Sequence, residues 1–155
     1  MSTQSNLYSQ GGGGHEYAVE GQSAMFLLFL LGCSAPGLPQ TTITEFRQQA
    51  GSLGYETDDL LLYCNALTQH HKVLFQIKHN IIISEKSELF PEVVTAVWKD
   101  FNNSNLFNKQ TDRIYLVKGA MTLHEKNHLK QLLNWAKLKA TRVDFTNGNP
   151  LGAIE

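Results

Sequence analysis

The sequence predicts an α/β protein in which a mixed sheet is flanked by helices. The chain has 155 residues, of which 42% are apolar and 17% are charged, as in a single globular domain. Segments with the two-residue period of strands occur between segments with the 3.6-residue period of helices. The predicted order is α, α, β, β, α, β, α, β, without an internal repeat.

The N-terminal part of the chain predicts a lead-in and a first helix. Residues 1–14 are polar and rich in glycine, which favours a flexible segment. A helix is expected from His15 to about Leu31, followed by a glycine that ends it. We expect one domain over residues 15–147 and a tail over 148–155 that leads into further domains of a longer protein.

The apolar run from Ala24 to Leu31, followed by Cys33, resembles a lipoprotein signal. It is much shorter than the roughly 20 residues of a membrane span. The residues before it lack the basic charge of a signal peptide and include Glu16 and Glu20. We therefore expect a buried helix in a cytoplasmic protein that has no membrane partner. The chain has two cysteines, which are too few for a disulfide framework and are expected to be reduced.

Turn and capping residues between 41 and 80 predict one short helix and two strands. "TTITEFRQQAG" predicts a short helix with Thr41 or Thr42 as its N-cap, because Glu45 has capping-box spacing from Thr42 and Gly51 ends the segment. "GYETDDLLLYCNAL" predicts a turn and then a strand that begins near Asp58. After the turn "TQHH", the segment "KVLFQIKHN" predicts a second strand, and the two are expected to form a hairpin.

The second half predicts two helices and two strands. "SELFPEVVTAVWKDFNNS" carries an apolar stripe at helical spacing, and "DRIYLVKGA" has the composition of a strand. "TLHEKNHLKQLLNWAKLKA" predicts a long helix. "RVDF" predicts a last short strand.

Two polar residues stand inside the apolar strand that contains "QIK". Gln76 and Lys78 project on the same side, about 7 Å apart along the chain. Asp58 and Asp59 stand where the preceding strand begins. If the two strands pair, one aspartate can approach Gln76 and Lys78. Carboxylate, amide and backbone carbonyl oxygens suit Mg²⁺, and a lysine beside them can assist water or stabilise a phosphate.

Asp59 followed by Gln76-Ile77-Lys78 resembles the D…(E/Q)xK signature of the PD-(D/E)XK, or restriction-endonuclease-like, nucleases. Glu20 and the apolar run after it resemble the first helix of such domains. More narrowly, the segments "GGGGHEYAVEGQ", "GYETDDLLL", "LFQIKH" and "DRIYLVKG" resemble, in this order, the double-stranded DNA nuclease domain of bacterial antiphage effectors. Such domains occur in CBASS effectors and at the N-terminus of antiviral STAND ATPases. The resemblance covers about residues 11–146.

The resemblance implies a restriction-endonuclease-like fold and a set of site residues. Asp59 would be the central metal ligand, with Asp58 as its alternative, and the backbone carbonyl of Ile77 would be a second ligand. Gln76 would stand where many relatives have glutamate. Lys78 would be the catalytic lysine.

The same resemblance implies a role for residues of the first helix and the identity of the cofactor. Glu20 would hold a metal-bound water, with Glu16, one turn earlier, as its alternative. The cofactor would be Mg²⁺ or Mn²⁺. The implied function is an endonuclease that cleaves double-stranded DNA in antiphage defence and forms oligomers through regions outside this chain.

Charge is unevenly distributed, although the net charge is only -1. No lysine or arginine precedes Arg47, whereas residues 126–142 carry five basic residues and no acid. Lys126, Lys130 and Lys137 are candidate phosphate contacts on a helix. The alternative is an ordinary solvated face.

Other interpretations of the same residues remain open. Lys78 could protect a sheet edge, and Asp58 and Asp59 could be plain turn residues. Because Gln76 cannot ionise, the domain could also be an inactive nuclease-like module that binds nucleic acid or a protein partner.

Overall fold

A computed structural model of the protein describes residues 12–84 and 86–138. The described elements are α1 (Gly12–Leu30), β1 (Thr42–Gln48), a short 3₁₀ helix (Ala50–Leu53), β2 (Leu60–Asn65), β3 (His70–Lys78), α2 (Leu89–Asn102), β4 (Arg113–Lys118) and α3 (Leu123–Leu138). The chain divides into two compact units between Gly119 and Ala120. The predicted strand "RVDF" and the predicted domain end at residue 147 lie outside the described residues.

The first unit contains a four-stranded mixed sheet in the order β1-β2-β3-β4. The pairs β1–β2 and β2–β3 are antiparallel, and β4 runs parallel to β3 after a crossover that contains α2. The predicted α/β class, with a mixed sheet flanked by helices, is therefore confirmed.

The segment 42–48 is a strand, so the short helix predicted there is wrong. Its first residues, Thr42, Ile43 and Thr44, are all β-branched and favour extended backbone. Ile43 is buried and pairs with Cys64 of β2. Glu45 forms an ion pair with an arginine in the same strand and does not cap a helix. Pairing with β2 outweighs the capping-box pattern.

The predicted hairpin of β2 and β3 forms, and it lies at the centre of the sheet. Leu60 pairs with Phe75 and Leu62 with Val73, and all four side chains are buried. Since β3 has β2 on one side and β4 on the other, it is not an edge strand. The interpretation of Lys78 as a lysine that protects a sheet edge is therefore wrong.

Helix α1 packs on one face of the sheet through Tyr17, Ala18, Met25, Leu28 and Phe29. Where it crosses β3, Gly21 lets the helix approach closely: a Cβ there would lie 3.2 Å from the Cδ1 atom of Ile77.

The expectation of a fully buried α1 is only half right. The predicted helix forms, but its outward side leaves several large apolar residues between 42% and 73% exposed, namely Phe26, Leu27, Leu30 and Leu31. Within the described residues, none of the helices combines the length and the apolar character needed to cross a bilayer.

Two buried carboxylates attach the loops to the sheet. Asp100, at the end of α2, accepts hydrogen bonds from the backbone N–H groups of Glu56 (2.9 Å) and Thr57 (2.7 Å). Asp112, before β4, accepts from the N–H groups of Lys72 and Asn108, both at 2.9 Å. The two carboxylates satisfy N–H groups that would otherwise be unpaired, and so attach the loop before β2 to α2 and the loop before β4 to β3.

The ammonium of Lys72 lies 3.4 Å from the Asp112 carboxylate and compensates part of its buried charge. Burial lowers the pKa of Lys72, but the hydrogen bond to Tyr55 and the charge of Asp112 outweigh it, so the pKa is raised. Lys72 therefore remains charged at neutral pH.

The helix predicted from "TLHEKNHLKQLL" forms as α3 in the second unit. Its start is a capping box: the N–H of Thr122 donates to Oε2 of Glu125 (2.9 Å), and the N–H of Glu125 donates to Oγ1 of Thr122 (3.2 Å).

We expect Asp100→Ala to lower the free energy of unfolding by about 3 kcal/mol, because two N–H groups lose their acceptor, one of them buried. The neighbouring substitution Lys99→Ala removes only an exposed ion pair with Glu56 and should cost less than about 0.5 kcal/mol. Urea denaturation of the two variants measures the difference. Equal effects would show that Asp100 does not hold the loop.

Candidate functional site

The Asp59 carboxylate lies where β2 begins and β3 ends. Its Oδ2 atom accepts three hydrogen bonds, from Nε2 of Gln76 (2.5 Å), from the backbone N–H of Ile77 (2.6 Å) and from Nζ of Lys78 (3.3 Å). The pairing of Leu60 with Phe75 accounts for this, because one step further along both strands sets Asp59 beside Gln76. The structure thus brings together the aspartate and the "QIK" residues singled out in the sequence.

The site is partly buried. The side chain of Asp59 is 20% exposed and that of Lys78 is 30% exposed, whereas Gln76 is 4% exposed. Reduced solvent strengthens the attraction between ammonium and carboxylate relative to a surface pair. The buried amide has little freedom to turn away, so Gln76 holds the carboxylate in place.

The backbone of Ile77 faces Asp59 through its N–H, although the resemblance implies a role for its carbonyl. In an extended strand, the N–H and C=O of one residue point to the same strand edge. The Ile77 carbonyl therefore faces the same edge as Asp59. The predicted carbonyl ligand stays compatible with the backbone geometry.

The contacts of the two aspartates indicate which of them is central to the site. Asp59 makes all the hydrogen bonds to the "QIK" segment, whereas the contact described for Asp58 is a backbone one, in which its carbonyl accepts from Ala50 (2.8 Å). Asp58 is exposed and lines the cavity next to Asp59. The geometry favours Asp59 as the central residue and leaves Asp58 at the rim.

Gln22 of α1, which was not among the predicted site residues, forms a hydrogen bond with Asp59. Its Nε2 donates to the backbone carbonyl of Asp59 (2.8 Å), and its Oε1 accepts from Nε2 of Gln48 (3.1 Å). Glu20 and Glu16 are exposed and do not line the cavity beside Asp59. Two residues along a helix correspond to a rotation of about 200°, so Glu20 points away from the side of α1 that carries Gln22.

A cavity of about 630 Å³ opens beside the two aspartates. Its other lining residues are His15, Ala18, Val19, Gln22, Gln48, Gln49, Gly51 and Ser52. The α1 members have the spacing i, i+3, i+4, i+7 of one helix face, a signal present in the sequence. The polar groups that line the cavity beside the two aspartates are mostly the amides of the glutamines and the hydroxyl of Ser52.

A second lysine belongs to the same end of the sheet. Lys118 of β4 pairs in register with Lys78, and in a parallel pair such residues project from the same face, with the strands about 4.8 Å apart. Directly after it, Gly119 donates its N–H to the carbonyl of His79 (3.2 Å). A Cβ at Gly119 would lie 2.8 Å from that oxygen, so glycine permits the close approach of the two strand ends.

Of the three lysines predicted to contact phosphates, Lys126 and Lys130 are exposed on α3, one turn apart. Lys137 also lies in α3, but its side chain is outside the described part. These lysines belong to the second unit, whereas the candidate site lies in the first.

The oxygen atoms at Asp59 suit a hard cation that keeps most of its waters. Among the described residues, no three His, Cys, Asp or Glu side chains lie close enough to hold a metal ion. The available donors are one carboxylate, the Ile77 carbonyl and the Gln76 amide oxygen. Mg²⁺ is commonly held by one or two carboxylates and several waters, so this set fits it.

Comparisons with protein-family models, with curated proteins and with solved structures found no match to this chain.

We expect Gln76→Glu to lower the melting temperature by roughly 5–10 °C without metal, and saturating Mg²⁺ to restore it. The new carboxylate would contact Asp59, and two such charges require a proton or a cation between them. Gln69→Glu, an exposed site in the β2–β3 turn, is the matched control and should melt like the wild type. If Mg²⁺ failed to raise the melting temperature of Gln76→Glu, residues 59 and 76 would not share a cation.

Proposed function

We propose that the chain is a metal-dependent endonuclease that cleaves double-stranded DNA with little sequence specificity, and that it acts as an effector domain in antiphage defence. The observation that carries the proposal is the convergence of Asp59, Gln76 and Lys78 at one end of the central hairpin. These residues occur in the order of the restriction-endonuclease-like signature. The mixed sheet flanked by helices supports, at a coarser level, the same fold assignment.

The residues that would hold Mg²⁺ or Mn²⁺ are Asp59, the Ile77 carbonyl and the Gln76 amide oxygen. A divalent cation bound there polarises a phosphoryl oxygen and lowers the pKa of water. Gln76 and the N–H of Ile77 keep the carboxylate oriented toward this position, since both donate to its Oδ2 atom. Glu20, which the resemblance implies as the holder of a metal-bound water, is exposed and does not line the cavity at Asp59.

Lys78 supplies the positive charge closest to Asp59, at 3.3 Å. An ammonium in this position can move from the carboxylate to a phosphate oxygen and stabilise the charge that builds up as the phosphodiester is attacked. Lys118 adds a second charge on the same face of the sheet. Binding through phosphates gives affinity that depends on salt and little on base sequence.

One observation favours a second candidate, an inactive nuclease-like module that binds nucleic acid or a protein partner. Residue 76 is a neutral amide, and Asp59 already has an ammonium and two N–H donors on one oxygen. This arrangement satisfies the carboxylate without a metal ion. In such a module, Asp59 would serve to hold β2 against β3.

The decisive experiment is incubation of the protein with supercoiled plasmid, with and without Mg²⁺ or Mn²⁺. We expect metal-dependent nicking and linearisation, reduced about 10²–10⁴-fold in Lys78→Ala. Lys99→Ala, an exposed lysine of α2, is the control and should cut at the wild-type rate. Cleavage by Lys78→Ala at that same rate would exclude its catalytic role, whereas DNA binding without cleavage by the wild type would favour the inactive module.

Lys118→Ala tests the second lysine separately. We expect weaker binding to every DNA sequence tested. The slope of log affinity against log salt concentration should become smaller by about one unit. Fluorescence anisotropy with duplexes of different sequence, over a series of salt concentrations, measures both. An unchanged slope would show that Lys118 contacts no phosphate.

A further inference from the structure

The outward face of α1 carries a helix-packing seam that the described residues leave largely exposed, apart from the contact of Phe26 with Phe46 of β1. Val19, Ser23, Phe26 and Leu30 follow one another at intervals of four, three and four, which is the a/d spacing of a coiled coil. Val19 is 43% exposed, Phe26 42% and Leu30 62%. This pattern indicates that the missing partner is another helix.

The size of this seam matches a specific interface. Leu27 and Leu31, which flank it, are 58% and 73% exposed. With about 200 Å² for a fully exposed large apolar side chain, the five apolar residues of the face present on the order of 500 Å². Two copies would bury on the order of 1,000 Å², the lower limit of a specific interface. A patch of this size is comparable to the largest apolar patch of a typical monomer, and such patches often have a function.

Charge and shape suit a second copy of the same helix. No charged residue occurs between Gly21 and Thr44, so the two C-terminal halves of α1 meet without like-charge repulsion. Phe26 is held in place by ring contacts with Phe29 (centroids 6.0 Å apart) and Phe46 (5.3 Å). This central side chain of the seam therefore loses little freedom when a second copy binds. A groove of about 350 Å³ lies beside it, lined by Gln22, Ser23, Phe26, Phe46 and Gln48.

We propose that two copies of the chain associate through antiparallel α1 helices related by a twofold axis, so that Val19 faces Leu30 of the other copy and Ser23 faces its Phe26. A twofold interface uses the same patch on both copies, as this seam allows. The antiparallel arrangement separates Glu16 and Glu20 of one copy from those of the other and opposes the helix dipoles. The small Ser23 lets the two backbones approach.

Pairing through α1 has a consequence for the candidate site. Gln22 and Gln48 line both the groove at the seam and the cavity at Asp59. In a dimer joined at α1, each copy would therefore hold its candidate site next to the interface, and two sites are what cutting both strands of a duplex requires. This consequence rests on the proposed nuclease function, whereas the pairing itself does not.

Sedimentation velocity under reducing conditions tests the pairing without any activity measurement. We expect the full chain to form dimers as its concentration rises through the micromolar range. Leu30→Glu should raise the dimer dissociation constant at least about tenfold, because it places a charge in the seam. Leu67→Glu makes the same change at a fully exposed turn residue and should leave the constant unchanged. Circular dichroism verifies that both variants are folded.

A mixing experiment tests the antiparallel arrangement. Val19→Lys and Leu30→Glu should each be monomeric alone, and an equal mixture should form a heterodimer, because the lysine of one copy faces the glutamate of the other. A wild-type chain that stays monomeric, or a dimer that Leu30→Glu and Leu67→Glu weaken equally, would overturn the proposal. Absence of the heterodimer would overturn the antiparallel pairing. Loss of plasmid cleavage alone would count against the proposed nuclease function and not against the pairing.

Discussion

The antiparallel register of β2 and β3 is the constraint on which the rest of the structure depends. It places Leu60 opposite Phe75 and so sets Asp59 against Gln76, Ile77 and Lys78. A shift of one residue would exchange Leu61, which packs in one core cluster, with Leu60 and Leu62, which pack in the other, so the packing of both clusters depends on this register. The position of the candidate site is thereby a consequence of core packing, and its polar groups are held by some of the most buried residues in the protein.

The surrounding loops are fixed by groups that lie far from the site in sequence. Asp100 of α2 binds the two N–H groups at residues 56 and 57, just before the aspartate pair, and Gln22 of α1 binds the carbonyl of Asp59. The entry into β2 is therefore held from both helices of the first unit. Such support limits the motion of Asp59, and a preorganised carboxylate is what a metal-assisted hydrolysis or a rigid binding site would need. The same α1 carries the seam through which we propose that two copies pair, so one helix would support the site and set the distance between sites.

Several elements could be predicted because their signals are local. The central hairpin, α2, β4 and α3 all formed where composition and periodicity indicated. The segment from Thr42 to Glu45 shows where local signals fail: it has the same T-x-x-E pattern as Thr122 to Glu125, yet only the latter caps a helix. The difference is that β-branched residues at 42–44 meet an available strand edge on β2, a contact that capping rules do not include. The burial of α1 was overestimated for a related reason, since an apolar run does not reveal whether a second surface is present to cover its outward side.

The sequence by itself determined that Gln76 and Lys78 share one side of a strand, because alternation in an extended chain requires no partner. It also determined that an aspartate pair precedes the neighbouring strand. Only the tertiary structure decided that Asp59, rather than Asp58, meets them, because that choice depends on strand register. It likewise decided that Gln22 of α1 forms a hydrogen bond with Asp59, because the rotation of a helix about its axis is set by packing. Local periodicity specifies which residues lie on a common face, and the packing of that face against its neighbours specifies which of them meet.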